Sequence, residues 1–326
     1  MYPELFRIPG LDLPVYGYGV MLVIGFFSAV SLAKFLARRS GLDPETFVNA
    51  ALIALVTGVV GARLSHVLEN FGDFTRPDLT AWQNLKNVVN MRSGGLTYYG
   101  GFLLAFPCTV LYGIYRKVPL RLGMDIIAPC VMIGLGFGRI GCFLNGCCHG
   151  AECQLPWPMS VTFPYHSNAF MDHAFDKKHP LDVPPALTMI DPDTGKTRVA
   201  PPEALAQAGP QFVELSRQYR SRPVHPAQLY STITAWILAG LLLAYFTLPH
   251  VPGRVMALML MLEGAARFVL EALRTEPPVW GLLSLSMVIG LVLVLGGAIM
   301  WVVVGRLGSP EPSPVGGVAG PPAAAA

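Results

Sequence analysis

GLLSLSMVIGLVLVLGGAIMWVVV occupies residues 281–304 without one charged side chain. At a helical rise of about 1.5 Å per residue, such a run crosses the roughly 30 Å hydrocarbon core of a bilayer. Working outward from it, further apolar stretches lie near 17–36, 47–68, 95–115, 124–144, 226–247 and 255–273. The pattern predicts an all-α membrane protein of seven transmembrane helices, with residues 1–145 holding the first four and 225–307 the last three. Composition agrees, since 53% of the 326 residues are hydrophobic and 13% are charged, against roughly a quarter charged in a soluble domain. The net charge of +3 comes with no basic stripe, so no nucleic acid is expected as a partner.

The segment before the first span contains Glu4, Arg7 and Asp12 and has no basic start or small-residue cleavage site, so that span reads as retained. Short cytoplasmic loops are enriched in Lys and Arg. Lys34, Arg38, Arg39, Arg116, Lys117, Arg121, Arg254 and Arg306 all fall on one side of the seven spans, which places the N-terminus outside and the C-terminus in the cytoplasm. Residues 146–224 then form an extracytoplasmic head. Within it PWPMSVTFPY at 156–165 suggests a short strand or two, and DPDTGK at 191–196 a turn. The polar residues 69–94 read as an interfacial arm. From 308 to 326 the chain is almost entirely Ser, Pro, Gly and Ala, with nothing to bury, and is expected to be disordered.

The informative residues are those that interrupt the apolar spans, because an ionisable group in hydrocarbon costs about 2.5–3.5 kcal/mol on the insertion scale. Arg63 lies in span two, Arg139 ends span four, and span six carries Glu263, Arg267 and Glu271 at a spacing of four, on one helical face. Threaded through the topology, all sit at a common depth, about 5–15 Å below the outer surface. Tyr18, Tyr98, Tyr99, His225, Gln228 and Tyr230 reach the same level. One such arginine could be a structural pair or could snorkel to the headgroups. Three arginines on separate helices, with Gly-rich runs allowing close approach, are better explained by an anion. A guanidinium fork matches phosphate oxygens, and a pocket at bilayer depth points to a phospholipid headgroup.

Successive blocks of the chain resemble those of the prolipoprotein diacylglyceryl transferases: GYGVMLVIGF at 17–26, GARLSHVLEN at 61–70, SGGLTYYGGFLLA at 93–105, GRIGCFLNGCCHG at 138–150, HPAQLYS at 225–231 and EGAARFVLEALRTEP at 263–277. The resemblance implies a multi-pass enzyme of the bacterial inner membrane, without cofactor. It would move diacylglyceryl from phosphatidylglycerol to the lipobox cysteine of a preprolipoprotein signal peptide. It also implies that Arg139 and Arg267 are essential, with Tyr18 and Glu271 at the site, and that Asp125, Arg63, Asn145, Gly150 and His225 fall on motif positions. Tyr99 stands where many members carry histidine, and Cys142, Cys147 and His149 replace asparagine, glutamate and tryptophan.

The reaction implied requires a thiolate and a stabilised departing phosphate. A free thiol ionises near pH 8.5, so a base or a positive field is needed. Arg139 and Arg267 are assigned to the phosphate, with Tyr99 or His225 as candidate base and Arg63, Asn145, Gly150, His225, Gln228, Glu263 and Asp125 as substrate-binding. Cys108 and Cys130 read as core residues. Cys142, Cys147, Cys148 and Cys153 cluster near His149 but form no pair of CxxC units, so a disulfide among Cys147, Cys148 and Cys153 is expected rather than a metal site. Two rival readings are an anion transporter, which would need access from both faces, and a catalytically weakened paralogue that binds lipid or signal peptide.

Overall fold

The computed structural model describes residues 4–8, 13–74, 80–90, 97–153, 157–176, 179–190, 197–274, 278–281 and 283–308. The expected turn at 191–196 and the tail from 309 onward lie outside the described residues. A hairpin of β1 (Glu4–Ile8) and β2 (Leu13–Tyr16) leads into α1 (Gly17–Arg39), followed by α2 (Pro44–Glu69), α3 (Phe71–Phe74), α4 (Ala81–Val89), α5 (Tyr98–Tyr115) and α6 (Leu120–Asn145). The head contains α7 (Asn168–Ala174), the hairpin β3 (Thr188–Ile190) and β4 (Thr197–Val199), α8 (Pro202–Ala208) and α9 (Pro210–Gln218). Then come α10 (Ala227–Phe246), α11 (Arg254–Glu271), the hairpin β5 (Pro278–Trp280) and β6 (Leu283–Ser284), and α12 (Leu285–Leu307).

The expected seven spans are met in part. Helices α1, α2, α6, α10 and α12 are long and apolar enough to cross a membrane, and α5 is apolar but shorter. Helix α11 falls short because Glu263, Arg267 and Glu271 interrupt its 18 residues. Leu295 and Ile299, one turn apart on α12, are largely exposed, as a lipid-facing stripe should be. The chain is a multi-pass membrane protein.

The chain divides into two units. One comprises Val30–Cys130, Ala244–Met256 and the stretch from Val303. Here α2 starts at Asp43, whose carboxylate accepts the Glu45 N–H at 3.1 Å, with Pro44 at the first helical position. Helices α2 and α5 approach closely because Gly61 and Gly100 face each other: a Cβ at Gly61 would lie 2.4 Å from the Gly100 carbonyl oxygen. The expected interfacial arm contains α4, capped by Thr80 and Gln83, with Trp82, Leu85 and Val89 exposed on one face.

The other unit comprises the chain to Ala29, Val131–Leu243 and Ala257–Val302. Helices α11 and α12 meet at Gly264 and Gly290, where a Cβ on Gly264 would stand 2.5 Å from the Gly290 oxygen. In the head, Phe163, Ala169 and Val224 form one small core, and Leu187, Ala200 and Leu205 another, to which the Tyr165 hydroxyl is tied by donating to the Leu187 and Ala200 carbonyls. The strand expected within 156–165 is reduced to isolated bridges at Val161 and Pro164. The prolines at 158 and 164 explain the loss, because each lacks a ladder donor.

Candidate active site

Charged residues from separate helices of the Arg139-containing unit line one cleft. Arg139 comes from α6, Glu263, Arg267 and Glu271 from α11, Ser286 from α12, and Cys148 from the loop after α6. The spacing of four along α11 puts its three groups in one row. Arg267 Nε donates to Ser286 Oγ at 3.0 Å, which aims the guanidinium from behind. Glu271 is buried, with Oε1 accepting from Ser284 Oγ at 3.2 Å and Oε2 paired with Arg274 at 3.5 Å. Glu263 interacts electrostatically with both Arg267 and Arg139. Three guanidinium groups, of Arg139, Arg267 and Arg274, and two carboxylates, of Glu263 and Glu271, thus line one cleft.

The cleft's remaining wall is the turn after α6. Gly146 (φ +72°) and Cys148 (φ +58°) take left-handed backbone, and the chain folds back on the end of α6. Cys142, Cys147 and Cys148 consequently have their sulfurs within 4.8 Å of one another. Gln228, fully buried at the start of α10, donates to the Cys147 carbonyl at 2.7 Å. The Gly150 N–H donates to the His225 carbonyl at 2.9 Å, and a Cβ on Gly150 would meet His225 Cβ at 2.8 Å and the Leu273 oxygen at 3.0 Å. Only glycine fits there. Asn145 bonds to the Cys147 side chain, and Tyr18 packs on Gly141 beside Arg139. Hydrogen bonds from Cys142 and Cys147, helped by the positive charge of Arg139 and Arg274, hold the Cys148 thiol well below the ordinary cysteine range.

A family model for prolipoprotein diacylglyceryl transferase matches residues 3–303. The chain belongs to that family. Among its relatives is the phosphatidylglycerol–prolipoprotein diacylglyceryl transferase of Rhodopirellula baltica, 32% identical over 206 residues. That match takes in 61% of this chain and 41% of the relative's length. The proteins of the same name from Clostridium tetani and Burkholderia ambifaria are 27% and 28% identical over 85% of this chain, covering 87% and 85% of their own lengths.

Apart from Tyr18, which packs on Gly141 and is not among the residues lining the cleft, the expected site residues fall into three groups. Arg139, Arg267, Glu263 and Glu271 converge on the cleft. Asn145, Gly150, His225 and Gln228 build the turn that walls it. The His225 ring itself packs against Trp157 and Tyr230, whose centroids are 5.9 and 6.4 Å away. Arg63, Tyr99 and Asp125 belong to the other unit. Arg63 donates to the carbonyls of Asn87, Val88 and Asn90 at 2.7–2.8 Å, closing the C-terminal end of α4. Asp125, fully buried, accepts the N–H groups of Gly253 and Met256 at 2.6 and 2.8 Å and so caps α11. Tyr99 is half exposed in the first turn of α5.

A further correction concerns cysteine. All six are free thiols, and the expected disulfide among Cys147, Cys148 and Cys153 is not formed. Cys153 is held apart by its N–H bond to the Pro223 carbonyl, while the left-handed turn delivers the other two to Cys142. Arg274, Ser286 and Cys148 were not among the expected site residues. Arg274 was detectable, three residues beyond Glu271 on the same face.

Proposed function

We propose that the chain transfers diacylglyceryl from phosphatidylglycerol to the lipobox cysteine of a prolipoprotein, and that the Arg139–Arg267 cleft is where this happens. The observation that carries the reading is the convergence of two guanidinium groups from α6 and α11 on one cleft. The names of the relatives supply the two substrates. In the reaction the substrate thiol loses its proton and its sulfur attacks the glyceryl carbon that bears the phosphate. The carbon–oxygen bond breaks, a thioether forms and glycerol phosphate leaves. Arg139 and Arg267 grip the phosphodiester and gain most as the departing oxygen collects charge; one such donor supplies about 10²–10³ in rate. The His225 ring packs against Trp157 and Tyr230 rather than lining the cleft, so we assign Glu263, which lines it with Arg139 and Arg267, as an acceptor for the thiol proton.

In this reading all seven long helices cross the membrane with the N-terminus outside. Helix α11 is tolerated there because its charges face protein partners rather than lipid, and α4 lies along the interface. The test is mass analysis of a lipobox peptide incubated with purified protein and phosphatidylglycerol. A gain of one diacylglyceryl unit, lost in Arg139→Ala that still inserts, is expected. No gain with the native chain, or normal turnover in the variant, overturns the proposal.

A further inference from the structure

The three thiols at the cleft wall are unused by the mechanism above. Cys142 sits in the last turn of α6, Cys147 and Cys148 in the turn after it, and the sulfurs lie within 4.8 Å of one another. Zinc–sulfur bonds of about 2.3 Å in a tetrahedron set neighbouring sulfurs about 3.8 Å apart, a closing of at most about 1 Å. Small side-chain rotations achieve that. The turn is held for the purpose by independent contacts: Gln228 on the Cys147 carbonyl and left-handed backbone at Gly146 and Cys148. A non-glycine residue in that conformation is strained, and strain of this kind concentrates at working sites.

Charge supports a metal as well. Three thiolates around a divalent ion leave a net charge of −1, and Arg139 and Arg274, which line the same cleft as Cys148, carry the opposite sign. Three protein ligands also leave the fourth tetrahedral position open, the pattern of zinc sites that act on a substrate rather than merely stiffen a fold. Cys148 is exposed and lines the cleft with Arg139 and Arg267, so an ion held by its sulfur would border the space assigned above to the reacting groups.

We propose that Cys142, Cys147 and Cys148 bind a zinc ion whose open position takes the lipobox cysteine and presents it as a thiolate to the phospholipid held by Arg139 and Arg267. This rests on the transferase reading for the identity of the thiol. A thiol that binds zinc is deprotonated outright, which supplies the thiolate the reaction requires. Bound water leaves as the sulfur arrives, and the thiol proton passes to Glu263 or solvent. Sulfur then forms its bond to carbon as the carbon–oxygen bond breaks. Zinc changes no oxidation state, and the product thioether, a neutral and weak ligand, departs.

The test uses the full-length protein in detergent, reduced and loaded with cobalt(II) as a coloured stand-in for zinc. One cobalt per chain is expected, with thiolate charge-transfer bands, displaced by zinc. The bands should vanish in Cys148→Ser, return shifted in Cys148→His, and persist when Cys108, Cys130 and Cys153 are all replaced by Ser. A lipobox peptide should shift the cobalt spectrum, and the same peptide with its Cys replaced by Ser should not. Failure to bind cobalt, bands independent of Cys148, or no response to the cysteine peptide would each overturn the proposal. Because the spectrum needs no turnover, loss of diacylglyceryl transfer with the peptide shift intact counts against the transferase reading and not against the metal site.

Discussion

Gln228 Nε2 reaches across from α10 to the carbonyl of Cys147 at 2.7 Å. The side chain is fully buried, and its partner lies in the turn that carries Cys148 into the cleft. This bond connects a rigid helix to the wall of the site. A buried acceptor left without its donor costs about 1–3 kcal/mol. Gln228→Leu, similar in size, should therefore insert normally yet lose about tenfold in transfer rate as the turn loosens. A transfer assay at matched membrane expression checks it, and an unchanged rate would show that the turn is held without Gln228.

Arg267 is pinned by its bond to Ser286 and presents a planar fork to the cleft. Lysine keeps the charge but offers a point donor and cannot reproduce both contacts. Arg267→Lys is expected to reduce transfer by about 10²-fold, with Ser286→Ala a milder loss through misaiming. If Arg267→Lys turns over at the native rate, charge alone suffices and the fork argument fails.

Arg139, Arg267, Glu263 and Glu271 were readable from the sequence because a charge in an apolar span needs a reason, and a spacing of four fixes a shared face. The same signal was carried by Arg63 and Asp125, and there it led elsewhere. Arg63 satisfies the last carbonyls of α4 and Asp125 the first amides of α11. A buried charge announces that it has a partner; whether that partner is substrate or backbone is decided by tertiary contact, which no periodicity encodes. The clustering of the cysteines was readable, but which three of them meet was not, for a related reason. Its geometry depends on positive φ at Cys148, a residue type that gives no hint of left-handed backbone.

Asp125 gives a prediction about stability rather than chemistry. Its buried carboxylate accepts two backbone N–H groups and lies 3.5 Å from His250. Asp125→Ala leaves those amides without an acceptor and should destabilise the protein by about 1–3 kcal/mol, with Asp125→Asn recovering part of this. Thermal unfolding in detergent measures the difference. A native midpoint for the alanine variant would show that the cap contributes nothing.

The head should weaken in acid because of His173. Its Nδ1 accepts the Arg222 N–H at 3.1 Å, a bond that requires the neutral ring. Burial, with Arg222 and His149 adding, holds its pKa below the ordinary histidine value despite Glu152 and Asp172 nearby. The folded value lies below the unfolded one, so the unfolded chain binds more protons in that window and stability rises with pH. The contribution is complete above about pH 6.5 and is lost as pH falls through the folded value. Hydrogen exchange of the head amides should accelerate on acidification in the native chain and much less in His173→Gln.

Glu263 separates binding from chemistry. It lines the cleft with both arginines and interacts electrostatically with each, whereas Glu271 accepts from the Ser284 hydroxyl. Glu263→Gln keeps size and hydrogen-bonding capacity but cannot accept the thiol proton as a carboxylate does. Proton acceptance by a positioned group contributes about 10²–10⁴-fold, so kcat should fall by that order, with KM for phosphatidylglycerol little changed. If Glu263 instead serves to neutralise the arginines, its removal would tighten phosphate binding and lower KM. Raising the pH should partly restore the variant in the first case, because hydroxide then ionises the thiol, and should leave it unchanged in the second. Steady-state kinetics of the variant across pH therefore identifies which of the two roles the carboxylate plays.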